Sequence, residues 1–169
     1  MRSSTSYHPD ESRCRGLTII ELLVVVVILG IVAALAAPNI SGWMESYTVR
    51  KCGRQLVSDL QLAKMRAVSQ GVQHRISFDP GNRSYTIQQG NASSGSTAWT
   101  QVDLVRALSN EQNPYYAKGV TLASNFANNV VLFSPVGTAS PAGTVTLSGA
   151  TPNYNRYVRV ILTGRVRLE

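Results

Sequence analysis

Residues 16–37 read GLTIIELLVVVVILGIVAALAA, and this stretch decides the architecture of the whole chain. From Leu17 to Ala37 the only charge is Glu21. A helix over these residues is roughly 30 Å long at about 1.5 Å per residue, enough to cross a hydrocarbon core. Arg13 and Arg15 stand just before it. Positive flanks resist translocation, so they predict a cytoplasmic N-terminus. The difficulty is Glu21. A carboxylate inside an inserted helix costs on the order of 2.5–3.5 kcal/mol, and it persists where it has a partner or a task.

Three readings compete for this segment. A plain transmembrane anchor explains the length but not the acid. A secretory signal peptide is suggested by the small-x-small site Ala34-Leu35-Ala36, yet the apolar run is long for one and has no use for Glu21. The third reading rests on resemblance. GLTIIELL resembles the class III signal of type IV pilins and type II secretion pseudopilins: Gly, an apolar first residue, Thr, two apolar residues, Glu, Leu. The resemblance implies cleavage between Gly16 and Leu17 by a prepilin peptidase that also methylates the new N-terminus. The usual Phe after the cut is Leu17 here. It also implies that Glu21, the fifth residue after the cut, pairs with the new α-amine of a neighbouring subunit. Such a buried pair mainly fixes register, because desolvation cancels much of its Coulomb gain.

Beyond the run, Pro38 removes a backbone donor and predicts a helix kink. The pattern then turns amphipathic. Ile40, Trp43, Met44, Tyr47, Leu56, Leu60, Ala63 and Ala67 mark one apolar stripe, while Arg50, Lys51, Arg54, Asp59, Lys64 and Arg66 fill the other faces. Gly71 is a natural C-cap. A nearly continuous helix from about 17 to 70 follows. After it the period switches to two. QHRISF and RSYTIQ flank Asp79-Pro80-Gly81-Asn82 and predict a β-hairpin, with Asp79 bracing the turn. Residues 88–98 are small and polar and predict a loop. Strands are expected around VTLAS, VVLFS, TVTLS, YVRVIL and RVRLE.

Composition narrows the function. Sixteen Lys/Arg against nine Asp/Glu are spread along 169 residues, which argues against a dedicated basic arm. Two cysteines, Cys14 and Cys52, make no zinc site or disulfide framework, and Cys52 reads as a packed thiol. His8 and His74 read as isolated surface residues. The acids Asp79, Asp103, Glu111 and Glu169 are scattered. With no P-loop, nucleophile elbow or metal-ligand spacing in the sequence, the expectation is a non-enzyme without metal or cofactor.

A second resemblance covers the remainder. VSDLQLAKMRAVSQG, VLFSPVGTASPAGTVTLS and the ending VILTGRVRLE, in that order, resemble the GspH/FimT branch of pseudopilins and minor pilins. The expected fold class is therefore α+β and pilin-like, a long N-terminal helix on an antiparallel β-rich head. The expected boundaries are a leader at 1–16, a transmembrane or filament-core helix at 17–37, an amphipathic helix at 38–71 and a head at 72–169. The resemblance implies a single-pass inner-membrane subunit with its head in the periplasm, incorporated into a type II secretion pseudopilus or a type IV pilus. Its implied partners are other pilin or pseudopilin subunits, the prepilin peptidase/N-methyltransferase and the inner membrane. An alternative is a FimT-like DNA-binding minor pilin. In a strand, Arg165 and Arg167 share a face while Val166 and Leu168 take the other, and paired guanidiniums suit phosphates. The competing explanation is that these arginines pair with acids of a neighbour or solvate an edge strand.

Overall fold

The computed structural model describes residues 18–151 and 154–169, and of residues 36–41 the backbone alone. One helix, α1, runs over Ile19–Gln70. Thr18 opens it: the Thr18 hydroxyl accepts the Glu21 backbone N–H at 3.3 Å. Thr-x-x-Glu is the signature of a capping box, in which the cap residue satisfies one of the free N–H groups of the first turn. Glu21 is thus a helix-start residue as well as a charge. The processing positions Gly16 and Leu17, together with His8 and Cys14, lie outside the described residues, and so does the side chain of Pro38.

The chain divides into two compact units, Met1–Asn39 and Ile40–Glu169. In the first, every described side chain from Ile19 to Leu35 is exposed, Ile19 at 86% and Val25, the least, at 48% among the large apolar ones. Among the described residues no helix is long and apolar enough to cross a membrane. A span over 17–37 takes in residues beyond that set and belongs with the proposals below.

In the second unit the helix buries a stripe at three- and four-residue steps: Val49, Cys52, Leu56, Leu60, Ala63 and Ala67. The sequence-based stripe is corrected at its start. Trp43, Met44 and Tyr47 are exposed, at 70%, 59% and 55%, and the buried stripe begins only at Val49. Gly71 closes the helix with φ 69°, and its N–H donates to the Ala67 carbonyl at 3.1 Å.

Two antiparallel sheets complete this unit. The first contains β1 (His74–Asp79), β2 (Ser84–Gly90), β3 (Trp99–Gln101), β4 (Arg106–Ala107), β6 (Val130–Phe133) and β7 (Ala139–Ser140), ordered β3-β2-β1-β6-β7 with β4 also on β2. The second is ordered β10-β9-β8-β5, from β5 (Thr121–Ser124), β8 (Gly143–Ser148), β9 (Asn155–Val160) and β10 (Val166–Leu168). The β1–β2 hairpin pairs Asp79 with Ser84. As expected, Asp79 braces its turn, accepting the Asn82 N–H at 3.0 Å, and that bond holds its carboxyl below the usual range. Inward residues of both sheets, such as Ile76, Ile87, Phe133, Leu147 and Val158, join the helical stripe in one core. A buried Leu of this kind contributes roughly 1.5–3 kcal/mol by leaving water.

Two polar residues overturn their sequence-based placement. His74 is fully buried at the start of β1, not on the surface. Its Nδ1 lies 3.2 Å from the Val72 carbonyl, and burial pushes its pKa down. Asp59 belongs to the inner face of α1. It accepts the Tyr85 hydroxyl at 2.7 Å and faces Arg106 Nε at 3.3 Å. Arg106 also reaches the Leu104 carbonyl at 2.7 Å and Asp103 at 3.3 Å, and Asp103 in turn holds Arg66 at 2.6 Å. Asp59 and Arg106 are 3% and 4% exposed, so this network is the polar pin between the helix and the first sheet.

Candidate functional site

The ending Gly164-Arg165-Val166-Arg167 forms the turn and outer strand of the last hairpin. Register pairs Val166 with Val160, Arg167 with Arg159, and Leu168 with Val158. The connection is tight: the Gly164 N–H donates to the Ile161 carbonyl at 2.8 Å, and the Ile161 N–H to the Arg165 carbonyl at 3.1 Å. Gly164 has φ 71°, a left-handed conformation that favours glycine. A Cβ there would also collide with the Gly137 carbonyl oxygen. Gly137, with φ 85°, sits in the turn whose N–H donates to Ser134 O at 2.9 Å. Lys64 of α1 donates to the Gly164 carbonyl at 3.1 Å. The Pro-Val-Gly-Thr turn, the final Gly-Arg and the helix therefore meet at one point and fix where β10 begins.

From that point, alternation separates two faces. Leu168 leans on α1 while staying 36% exposed, close enough that a Cβ on Gly53 would meet its Cδ1 at 2.7 Å. Val166 packs on the core. Arg165 and Arg167 are exposed on the other face, as the period-two reading expects. Sequence reasoning missed two neighbours. Arg159 lies directly across from Arg167, and Glu169 Oε2 is 3.3 Å from Arg159 Nη2. The signal was present in YVRVIL, where Arg159 alternates with Val158 and Val160, but it needed the hairpin register to be useful. A shallow cavity of about 150 Å³ is lined by Arg159, Ile161, Arg165, Arg167 and Glu169.

A larger cavity of about 520 Å³ lies between α1 from Trp43 to Leu56 and the loop 108–118. Its wall is aromatic and apolar: Trp43 stacks on Tyr47 with ring centres 6.1 Å apart, opposite Pro114 and Tyr115. The Thr48 hydroxyl is engaged by the Met44 carbonyl at 2.9 Å. Burial pushes the free Cys52 thiol up to about 11, so it stays protonated and behaves as a small apolar group. Among the described residues no cluster of His, Cys, Asp and Glu is grouped to hold a metal. One cavity is thus lined largely by cationic side chains and the other by apolar and aromatic ones.

The geometry has counterparts among known proteins. The family model for type II transport protein GspH matches residues 53–164, the amphipathic helix and nearly the whole head. This chain belongs to the GspH family. The model for the prokaryotic N-terminal methylation motif matches residues 12–37 of the same chain. A curated relative, type II secretion system protein H of Xanthomonas campestris pv. campestris, is 25% identical over 77 residues, 46% of each chain. Type II secretion system core protein G of Pectobacterium carotovorum subsp. carotovorum is 42% identical over 53 residues, 31% of this chain and 34% of that one. The match thus spans under half the length of these relatives. Among solved structures, the minor pseudopilin EpsH of Vibrio cholerae superposes with TM-score 0.55 at 16% identity, covering 72% of this chain and 95% of that chain. The type IV minor pilin FimU of Pseudomonas aeruginosa gives 0.54 at 18%, covering 75% and 92%. At such identities the likeness establishes the shared α+β fold. It spans both branches of the expected family, a secretion pseudopilin and a type IV minor pilin.

Proposed function

We propose that this GspH-family chain is a minor pilin or pseudopilin: a structural, non-enzymatic subunit of a type II secretion pseudopilus or a type IV pilus. Prepilin peptidase cuts it between Gly16 and Leu17 and methylates Leu17. Residues 17–37 then anchor it once in the bacterial inner membrane, with residues 72–169 as a periplasmic head, until the helix moves into the filament. The domain limits of the sequence reading, with the amphipathic helix at 38–71 and a bend at Pro38, belong to this proposal. The observation that carries it is uncovered apolar surface. The described side chains of 19–35 are exposed all round, and in the second unit Trp43, Met44 and Tyr47 are exposed as well. Exposed apolar area on this scale marks a surface that is covered by lipid or by other chains.

The test is mass spectrometry of the chain recovered from membranes that contain the peptidase. A mature N-terminus at methylated Leu17 is expected. A start at Ala37 would mean that the apolar run is a discarded signal and would end this reading.

A second reading is favoured by the exposed pair Arg165 and Arg167. On the same scaffold they make a DNA-binding minor pilin, in which forked guanidiniums hold phosphates. DNA affinity of the full chain would fall with salt as counterions are released. Arg165→Ala and Arg167→Ala would each weaken it, and binding unaffected by both would remove this reading.

A further inference from the structure

Register creates an electrostatic conflict in the last hairpin. Arg159 and Arg167 are direct cross-strand partners, and Arg165 follows on the same face opposite Ile161. Like charges directly opposite destabilise a strand pair. Among the described residues one acidic side chain pairs with them: Glu169, at 3.3 Å from Arg159, with both side chains about half exposed. One carboxylate against three guanidiniums leaves two positive charges uncompensated around a cavity lined by these four residues and Ile161. On the other side of β9, β8 places Thr144 and Thr146, which carry no charge, opposite Arg159 and Tyr157.

We infer that Arg159, Arg165 and Arg167 form one three-arginine site for phosphate oxyanions, and that Glu169 occupies it as a built-in competitor. The ligand to which we commit is the phosphodiester backbone of DNA, so the inference rests on the second reading above and extends it to Arg159 and Glu169. Glu169 holds Arg159 in place when no phosphate is present and must release it when one arrives. The carboxylate therefore lowers affinity while it preserves the geometry of the site. Arg159 is the group that makes the third contact.

The test uses the full chain in non-ionic detergent and a labelled duplex oligonucleotide, followed by anisotropy at several salt concentrations. Glu169→Gln should tighten binding roughly two- to fivefold, the scale of an exposed ion pair. Arg159→Ala should weaken it about as much as Arg167→Ala and reduce the salt slope by about one. Lys118→Ala, a basic residue elsewhere on the head, should leave binding close to wild type. If Arg165 and Arg167 matter but Arg159→Ala and Glu169→Gln change nothing, the DNA reading stands and the three-arginine site falls. If neither wild type nor Glu169→Gln binds DNA, the DNA reading falls. Thermal shift with pyrophosphate then decides the site: a shift lost in Arg159→Ala and larger in Glu169→Gln supports it, and no shift overturns it. Competition by dihexanoyl phosphatidylglycerol with the same residue dependence, but none by DNA, would assign the phosphate to lipid and overturn DNA as the ligand.

Discussion

Arg106 and the arginines of the last hairpin solve opposite problems. Arg106 is buried, and every direction it faces holds an acceptor: Asp59, Asp103 and the Leu104 carbonyl, with the Tyr115 ring centre 5.2 Å away. Burial alone would lower its pKa, but the carboxylates of Asp59 and Asp103 and the neighbouring tyrosines outweigh that and raise it. Arg159, Arg165 and Arg167 stand in water around one acid. The first arrangement pins a helix to a sheet. The second leaves charge unspent on a hydrogen-bonded hairpin. The full pairing of Arg106 and the partial pairing of the hairpin arginines separate what holds the fold from what is available to a partner.

The largest effect that breaks this contrast is Asp59→Ala. It leaves Arg106 to Asp103 and the Leu104 carbonyl but strips the partner from its buried Nε and from the Tyr85 hydroxyl, and breaking a buried ion pair costs up to about 3–5 kcal/mol. Urea denaturation should show that loss, and a change under about 1 kcal/mol would mean that Arg106 finds water instead. Next comes Gly164→Ala, which forces an alanine to a left-handed φ against the Gly137 carbonyl. A cost of about 1–3 kcal/mol is expected in the same assay, and a neutral result would show that the two turns can separate. At the other extreme, Arg165→Ala and Arg167→Ala should each shift stability by no more than about 0.5 kcal/mol, because exposed positions carry little of it. A large loss there would make these arginines structural.

His74 sharpens the same division through pH. Burial depresses its pKa, with the nearby Arg66 charge acting the same way and the Val72 carbonyl opposing. Below about 6.5 the unfolded chain takes up a proton that the folded chain resists. Stability should therefore be steady above that pH and decline as pH falls from 6.5 toward the lowered folded value. His74→Gln removes the titration and should flatten this slope in urea midpoints measured across the range. Equal slopes in both proteins would assign the decline to other groups.

How far these features were legible depends on the range of the interaction that creates them. The helix over Ile19–Gln70, its glycine cap and the strands around VVLFS, TVTLS and YVRVIL follow from local period and turn chemistry, so the sequence reading matches the structure closely. The short strands β3, β4 and β7 have three, two and two residues, too few for alternation to register. His74, Asp59 and the exposed Trp43–Tyr47 face went astray for a different reason. Helical and strand periodicities say which residues share a face, not where a partner sheet begins and ends. Arg165 and Arg167 were found because they are two apart on one strand, whereas Arg159 and Glu169 required knowing which residues pair across the hairpin.

Glu21 offers the most direct test of assembly as the work of this chain. Glutamine serves a capping box as glutamate does, so Glu21→Gln keeps the helix start at Thr18 and removes only the charge. In cells carrying the peptidase and the other filament subunits, the fraction of chain recovered in sheared or cross-linked filaments should be measured beside the fraction left in the membrane. The account predicts a cleaved, membrane-resident Glu21→Gln chain that is largely lost from filaments. Incorporation at the wild-type level would contradict it, since the one charge in the apolar run would then have no part in assembly.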